Sequence, residues 1–116
     1  NISQWTNDLN YLVDTITTNR RTANYVLTLT DKNKTVEMNM SSGNTITVPP
    51  NSSVAFPVGT QIFVSSYGTG QTSIVAGAGV TIRSNSGKLK LTGQYSGGVL
   101  QKIATDEWYL FGDISL

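Results

Sequence analysis

The chain contains neither cysteine nor histidine. Without cysteine no disulfide can support the fold, and redox compartment leaves no mark on the composition. Without either residue, the Ser-His-Asp and Cys-His nucleophile arrangements are excluded, as is every ordinary zinc site. Charge is scarce and balanced: eight basic against seven acidic side chains give a net +1, too little of one sign to hold nucleic acid or an anionic membrane. No apolar run approaches the ~20 residues of a membrane-spanning helix. Proline occurs only three times, at positions 49, 50 and 57, so all of its punctuation falls in one central loop.

What is present favours strands. A length of 116 residues fits one domain, and 38% apolar content allows a modest core. Thr, Ser, Asn and Gly fill most of the rest, and β-branched residues outnumber strong helix formers. The central stretch from Asn44 to Tyr67 holds two runs of strand character, Thr45 to Val48 and Gln61 to Ser65. Ile46 and Val48 share one face of the first, Ile62 and Val64 one face of the second. Pro49 and Pro50 cannot donate to a ladder, so the first run ends at Val48, and Phe56-Pro57-Val58-Gly59 turns the chain.

Before this stretch, Ile2, Trp5, Leu9, Leu12 and Ile16 recur at alternating spacings of three and four, the rhythm of a coiled-coil seam. The plainer alternative is one amphipathic helix lying on its own β-domain. Thr17 to Asn24 has poor helix formers and no stripe, and reads as a linker in which Arg20 and Arg21 are solvated. Tyr25 to Thr30 and Thr35 to Met40 alternate about the turn Asp31-Lys-Asn-Lys34, which predicts a first β-hairpin. The chain begins at Asn1 rather than Met, so a processed product or a piece of a longer polypeptide is expected, with anchoring carried by the missing part.

Glycines punctuate the second half. Tyr67-Gly-Thr-Gly70 and Gly77-Ala-Gly79 open no helical pattern and match no phosphate loop, so they read as turn glycines at positive φ. Leu89 and Leu91 point inward, while Lys88 and Lys90 are expected to guard a sheet edge. Gly97-Gly98 interrupts a long strand and predicts a bulge. In the last strand Trp108 and Leu110 share one face and Tyr109 and Phe111 the other, so both faces are apolar and both require a cover.

The remaining carboxylates offer little chemistry. Asp106 and Glu107 are sequence neighbours and point to opposite faces of a strand, Glu37 lies among Thr35 and Asn39 on a polar face, and Asp31 and Asp113 fit turns or chain ends. No catalytic, metal-ligating or cofactor-binding residue is assigned, and no cofactor is expected. Tyr67, Tyr95 and Tyr11 are aromatics able to stack on a sugar. Of these, Tyr67 and Tyr95 are the candidate ligand contacts, against the alternative that both pack at the sheet margin.

The wording Ile46-T-V-P-P-N-S-S-V-A-F-P-V-G-T-Q-Ile62, then V-A-G-A-G-V-T-I, G-K-L-K-L-T-G-Q-Y and D-E-W-Y-L-F-G-D-I-S, resembles a β-domain of phage virion fibre and appendage proteins of tail-fibre or head-fibre type. The resemblance runs from Thr28 to Ser115 and implies a structural module. Its D-x-W-x-L-x-G-D pattern falls on Asp106, Trp108, Leu110, Gly112 and Asp113, where it looks like a core signature. Appendage proteins of this kind are typically trimers, which implies a homotrimer.

The expectation is therefore an all-β antiparallel sandwich or barrel-like knob of about eight short strands, preceded by a short helical stalk. Residues 1–18 form the stalk, 19–24 a linker and 25–116 the knob. Ile2, Trp5, Leu9, Leu12, Ile16, Tyr109 and Phe111 are the expected oligomer interface. The expected role is a non-enzymatic virion component, assembled in the host cytoplasm and joined to other virion proteins through the missing amino-terminal part. Its expected outside partner is a host-surface glycan, with neither nucleic acid nor membrane insertion involved. The alternative is a monomeric carbohydrate-binding module of a larger surface protein.

Overall fold

Strand alternation in this sequence buries every second side chain, and two sheets meet over the buried set. The computed structural model describes residues 16–116. The expected interface positions Ile2, Trp5, Leu9 and Leu12, the stalk they belong to, and Tyr11 lie outside them. Eleven strands form among the described residues: β1 (Thr18–Arg21), β2 (Tyr25–Val26), β3 (Thr35–Met38), β4 (Asn44–Val48), β5 (Gln61–Ser66), β6 (Thr72–Ala76), β7 (Thr81–Arg83), β8 (Lys90–Leu91), β9 (Gly97–Ala104), β10 (Glu107–Gly112) and β11 (Ile114–Ser115). A six-stranded sheet runs β1-β3-β5-β9-β10-β7, and a five-stranded sheet runs β11-β8-β6-β4-β2. The protein is thus an all-β sandwich, as its composition implies.

The order of pairing carries the main finding. From β1 to β6 the chain alternates between the sheets, giving odd strands to the six-stranded sheet and even strands to the five-stranded one. β1, β3 and β5 pair in parallel, and so do β2, β4 and β6. The first half is therefore three stacked coils. Register partners Thr35↔Phe63 and Asn44↔Thr72 have the same sequence separation, so the second and third coils superpose in both sheets. The second half closes the sandwich with antiparallel pairs β5/β9, β9/β10, β6/β8 and β8/β11, and β7 joins β10 in parallel at the far edge.

Several expectations change accordingly. The hairpin of Tyr25–Thr30 with Thr35–Met40 does not form. β2 ends at Val26, a 3-10 turn occupies Leu29–Asp31, and β3 takes parallel partners on both sides. Thr18–Arg21, expected to span the stalk's end and the linker, is an edge strand. β8 is not an edge, because β11 lies beyond it. β9 pairs regularly at Gly97 and Gly98, and the register shift falls instead between Glu107 and Trp108. Gly68 and Gly70 are not at positive φ; they are small because a Cβ there would overlap the backbone of Met40 and Ser42 in the coil beneath.

The core joins Ile46, Val48 and Ile74 of one sheet to Val36, Met38, Ile62, Val64, Leu100, Trp108 and Leu110 of the other. Phe56, carried back by the proline-bearing loop, packs edge-on against Trp108 at 5.5 Å and 86°. That loop is fastened by polar groups. Lys102, only 3% exposed, donates to Asn51 Oδ1 (2.6 Å) and the Phe56 carbonyl (2.7 Å), and Asn51 N–H donates to Asp106 Oδ1 (2.6 Å). A buried ammonium needs such acceptors because its hydration is gone.

A second polar cluster joins β1 to β2. Asp31 is buried in its turn and accepts from Asn19 Nδ2 (3.0 Å), Tyr25 Oη (2.7 Å) and Thr28 N–H (2.8 Å). Desolvation is the main cause that raises the Tyr25 phenol above its usual range, with the nearby Asp31 carboxylate acting in the same direction. The fold therefore favours the neutral phenol. Its stabilising contribution is complete below about pH 10 and is lost as pH rises through the higher folded value. Melting temperatures measured across that alkaline range should fall for the wild type more steeply than for Tyr25→Phe, which also starts roughly 1 kcal/mol lower at neutral pH. Parallel curves would show that Tyr25 does not link protons to folding.

Candidate binding surface

The outer face of the six-stranded sheet can be assembled row by row from its register. One row runs Arg20, Glu37, Ser65, Gly97. The next runs Thr18, Thr35, Phe63, Val99, Phe111. The third runs Gln61, Gln101, Tyr109, Arg83. Phe63, Val99 and Phe111 are consecutive across β5, β9 and β10, and Tyr109 packs on Phe111 with ring centroids 5.0 Å apart. Phe111 is 50% exposed and Tyr109 39%, whereas Trp108 and Leu110 on the opposite face are buried. The two-faced character of the last strand is therefore real, and its outward half is uncovered by the described chain.

Ion pairs frame this apolar patch at opposite corners: Arg20 Nε to Glu37 Oε1 at 2.6 Å, and Arg83 Nε to Glu107 Oε2 at 2.9 Å. An apolar centre with a polar rim is the usual anatomy of a protein interface. Beside the second corner, β7 ends opposite Tyr109 and β10 has no further strand on that side. A groove of about 520 Å³ opens there, with Tyr109, Phe111 and Ile114 on its walls and Arg83, Asn85 and Lys88 at its polar side.

At the other corner the two candidate ligand tyrosines come together. Tyr67 follows β5 and Tyr95 precedes β9, and because β5 and β9 pair, their rings meet edge to face at 5.9 Å and 69°. The Arg20 guanidinium lies 4.2 Å from the centre of the Tyr67 ring. The hydrogen bond that Arg20 donates to the Glu37 carboxylate holds its guanidinium above the ordinary pKa. Gln94 Nε2 donates to the Tyr67 carbonyl, and Tyr95 N–H to that of Ser66. The result is a chain of supports, Glu37 to Arg20 to Tyr67 to Tyr95, ending in a ring that is 73% exposed.

Tyr95 is also held at φ 66°, within a turn in which Ser96 N–H donates back to the Gly93 carbonyl. Glycine or asparagine adopts that conformation readily, but for other L-residues it costs about 1–2 kcal/mol. An edge-to-face contact returns about 0.5–1.5 kcal/mol, so the ring barely offsets its own strain.

Sequence reasoning singled out Tyr67, Tyr95, Tyr109 and Phe111, and the structure places each pair in contact on one sheet face or its margin. Ile16 is 49% exposed just before β1. Arg20 and Glu37 were missed as site residues, since one was read as linker and the other as a lone solvated carboxylate. Among the described residues no three acidic side chains gather as a metal site would require. No family model, curated protein or solved structure matches the chain.

Proposed function

We propose that the chain is a non-enzymatic structural module of a phage virion fibre or appendage, working as a homotrimer on tail or capsid and contributing to attachment at a host surface. The observation that supports this best is the outward apolar row Phe63, Val99, Phe111, half-buried at its first two members and exposed at Phe111, with exposed Tyr109 beside it. A small disulfide-free domain gains stability by burying such a face against copies of itself. The number three, and the virion setting, rest on the resemblance of the central and carboxy-terminal wording to appendage β-domains.

Native mass spectrometry over a concentration series tests it. A mass near three times 12.5 kDa is expected; a folded monomer at the highest concentration would overturn the reading. Phe111→Ser should weaken assembly at least ~10-fold, because an aromatic at an interface centre carries much of its affinity. The same change should move the isolated chain's stability by only about 0.5 kcal/mol, as for other exposed positions. A variant that assembles like the wild type would place the interface elsewhere. The paired Tyr67 and Tyr95 favour a second reading, a monomeric carbohydrate-binding module, which the same mass measurement separates from the first.

A further inference from the structure

We infer that the corner built on Tyr95 is a binding platform for a neutral sugar, a single pyranose ring stacking on the open face of the Tyr95 side chain. The inference rests on the attachment half of the proposed function and names the residues that would perform it.

Three observations converge. Tyr95 occupies a left-handed backbone position that glycine would fill without strain, yet it carries one of the largest side chains and leaves it 73% exposed. Folding alone gives no reason for that choice, and strain kept at an exposed aromatic points to use of the ring. Second, the ring is held in place. Tyr67 meets it edge to face, Arg20 lies over the Tyr67 ring, and Glu37 fixes Arg20 at 2.6 Å. Such preorganisation lowers the ordering cost of binding. Third, the charges at this corner cancel, since Arg20 and Glu37 pair with each other.

These features select the ligand. The C–H face of a pyranose is apolar and flat enough to cover a phenol ring, and its edge hydroxyls need donors and acceptors. The Gln94 amide and the Tyr95 hydroxyl supply both kinds. A carboxylated sugar would find no unpaired cation here. A protein partner would need a broader patch than one turn. With no enclosing walls, a single sugar binds weakly and repeated copies of the site would raise avidity.

The test titrates methyl β-D-glucopyranoside, methyl β-D-galactopyranoside and N-acetylglucosamine into the full chain, observing tyrosine ring signals by NMR, with a panel of neutral and sialylated glycans in parallel. Shifts at Tyr95 and Tyr67 by at least one neutral sugar are expected. Tyr95→Gly should abolish them while the melting temperature stays level or rises, and Tyr95→Phe should keep affinity within about threefold if stacking rather than the hydroxyl dominates. Binding unchanged in Tyr95→Gly would overturn the inference, as would a preference for sialylated glycans. So would a clear fall in melting temperature for Tyr95→Gly, which would make the ring a structural prop. Wild-type protein that binds no member of the panel would sink this platform, whereas the mass measurement judges the proposed trimeric module independently.

Discussion

Replacing Gly70 by alanine should strongly destabilise the fold. The added methyl group would overlap the carbonyl and backbone of Ser42, and main-chain atoms cannot swing aside as a flexible side chain would. Gly70 N–H donates to the Met40 carbonyl (2.9 Å), and Ser66 Oγ donates to the Gly70 carbonyl (3.2 Å), so the loop is pinned at the point of collision. Relieving the overlap means lifting the third coil off the second. The expected loss is about 3 kcal/mol or more, a drop of roughly 10 °C or more in melting temperature for a domain of this size. Gly43→Ala is the control: its new methyl would meet the Gln71 carbonyl at an ordinary 3.9 Å, and its melting temperature should barely move. Equal effects from the two substitutions would mean that close coil stacking does not limit stability.

The second large effect is expected at Asp31. Asp31→Ala removes one acceptor group from four donors at once, those of Asn19, Tyr25 and the Thr28 backbone and hydroxyl. Donors left unpaired in a part-buried site cost far more than a single exchanged hydrogen bond returns, so the loss should reach about 3 kcal/mol. Asp31→Asn should fall between, because its amide keeps one oxygen but turns a donor toward donors. Urea denaturation measures the size of the change, and amide exchange locates it. Protection should fall first in β1 and β2, which the cluster fastens. Uniform loss across both sheets would instead show that the cluster is part of one cooperative unit.

Those two sites also mark where the sequence was legible and where it was not. Period-2 alternation identified the buried faces correctly at Ile46 and Val48, Ile62 and Val64, Trp108 and Leu110. The prolines ended β4 at Val48 as their missing donors require. Alternation states which way a side chain points, however, and says nothing about which strand lies alongside. Val36 and Met38 alternate equally well in a hairpin with Tyr25–Thr30 and in a coil between β1 and β5; the structure adopts the coil. The usable signal was the equal separation of Thr35 from Phe63 and of Asn44 from Thr72, a faint repeat carried by Val36/Val64 and Ile46/Ile74.

Contacts between distant residues were the least legible. Tyr67 and Tyr95 could be named as aromatics, but their meeting depends on β5 pairing with β9, and the strained φ of Tyr95 leaves no mark in composition. Arg20 looked like a linker charge because Thr18–Arg21 lacks apolar residues. It becomes a strand only because β3 offers it a partner. Lys102, on a strand otherwise marked by Val99 and Leu100, gave no warning that its ammonium would be drawn inward to hold the proline-bearing loop.

The coil stack has an end as well as an interior. Among the described residues, β1 and β2 are the outermost strands of their sheets on the same side of the sandwich, so both sheets terminate together at the first coil. Two sheet edges ending in step are a template on which another chain's strands could keep adding, the geometry from which fibrous aggregates grow. Here the charge that discourages such growth is not Lys88, which precedes β8, or Lys90, which lies on that interior strand, but Arg20 and Arg21 on β1 itself, stacked over Tyr67 and Tyr25. Among the described residues the first coil thus ends on a strand that carries two cationic side chains, the kind of charge that discourages strand addition at a sheet edge.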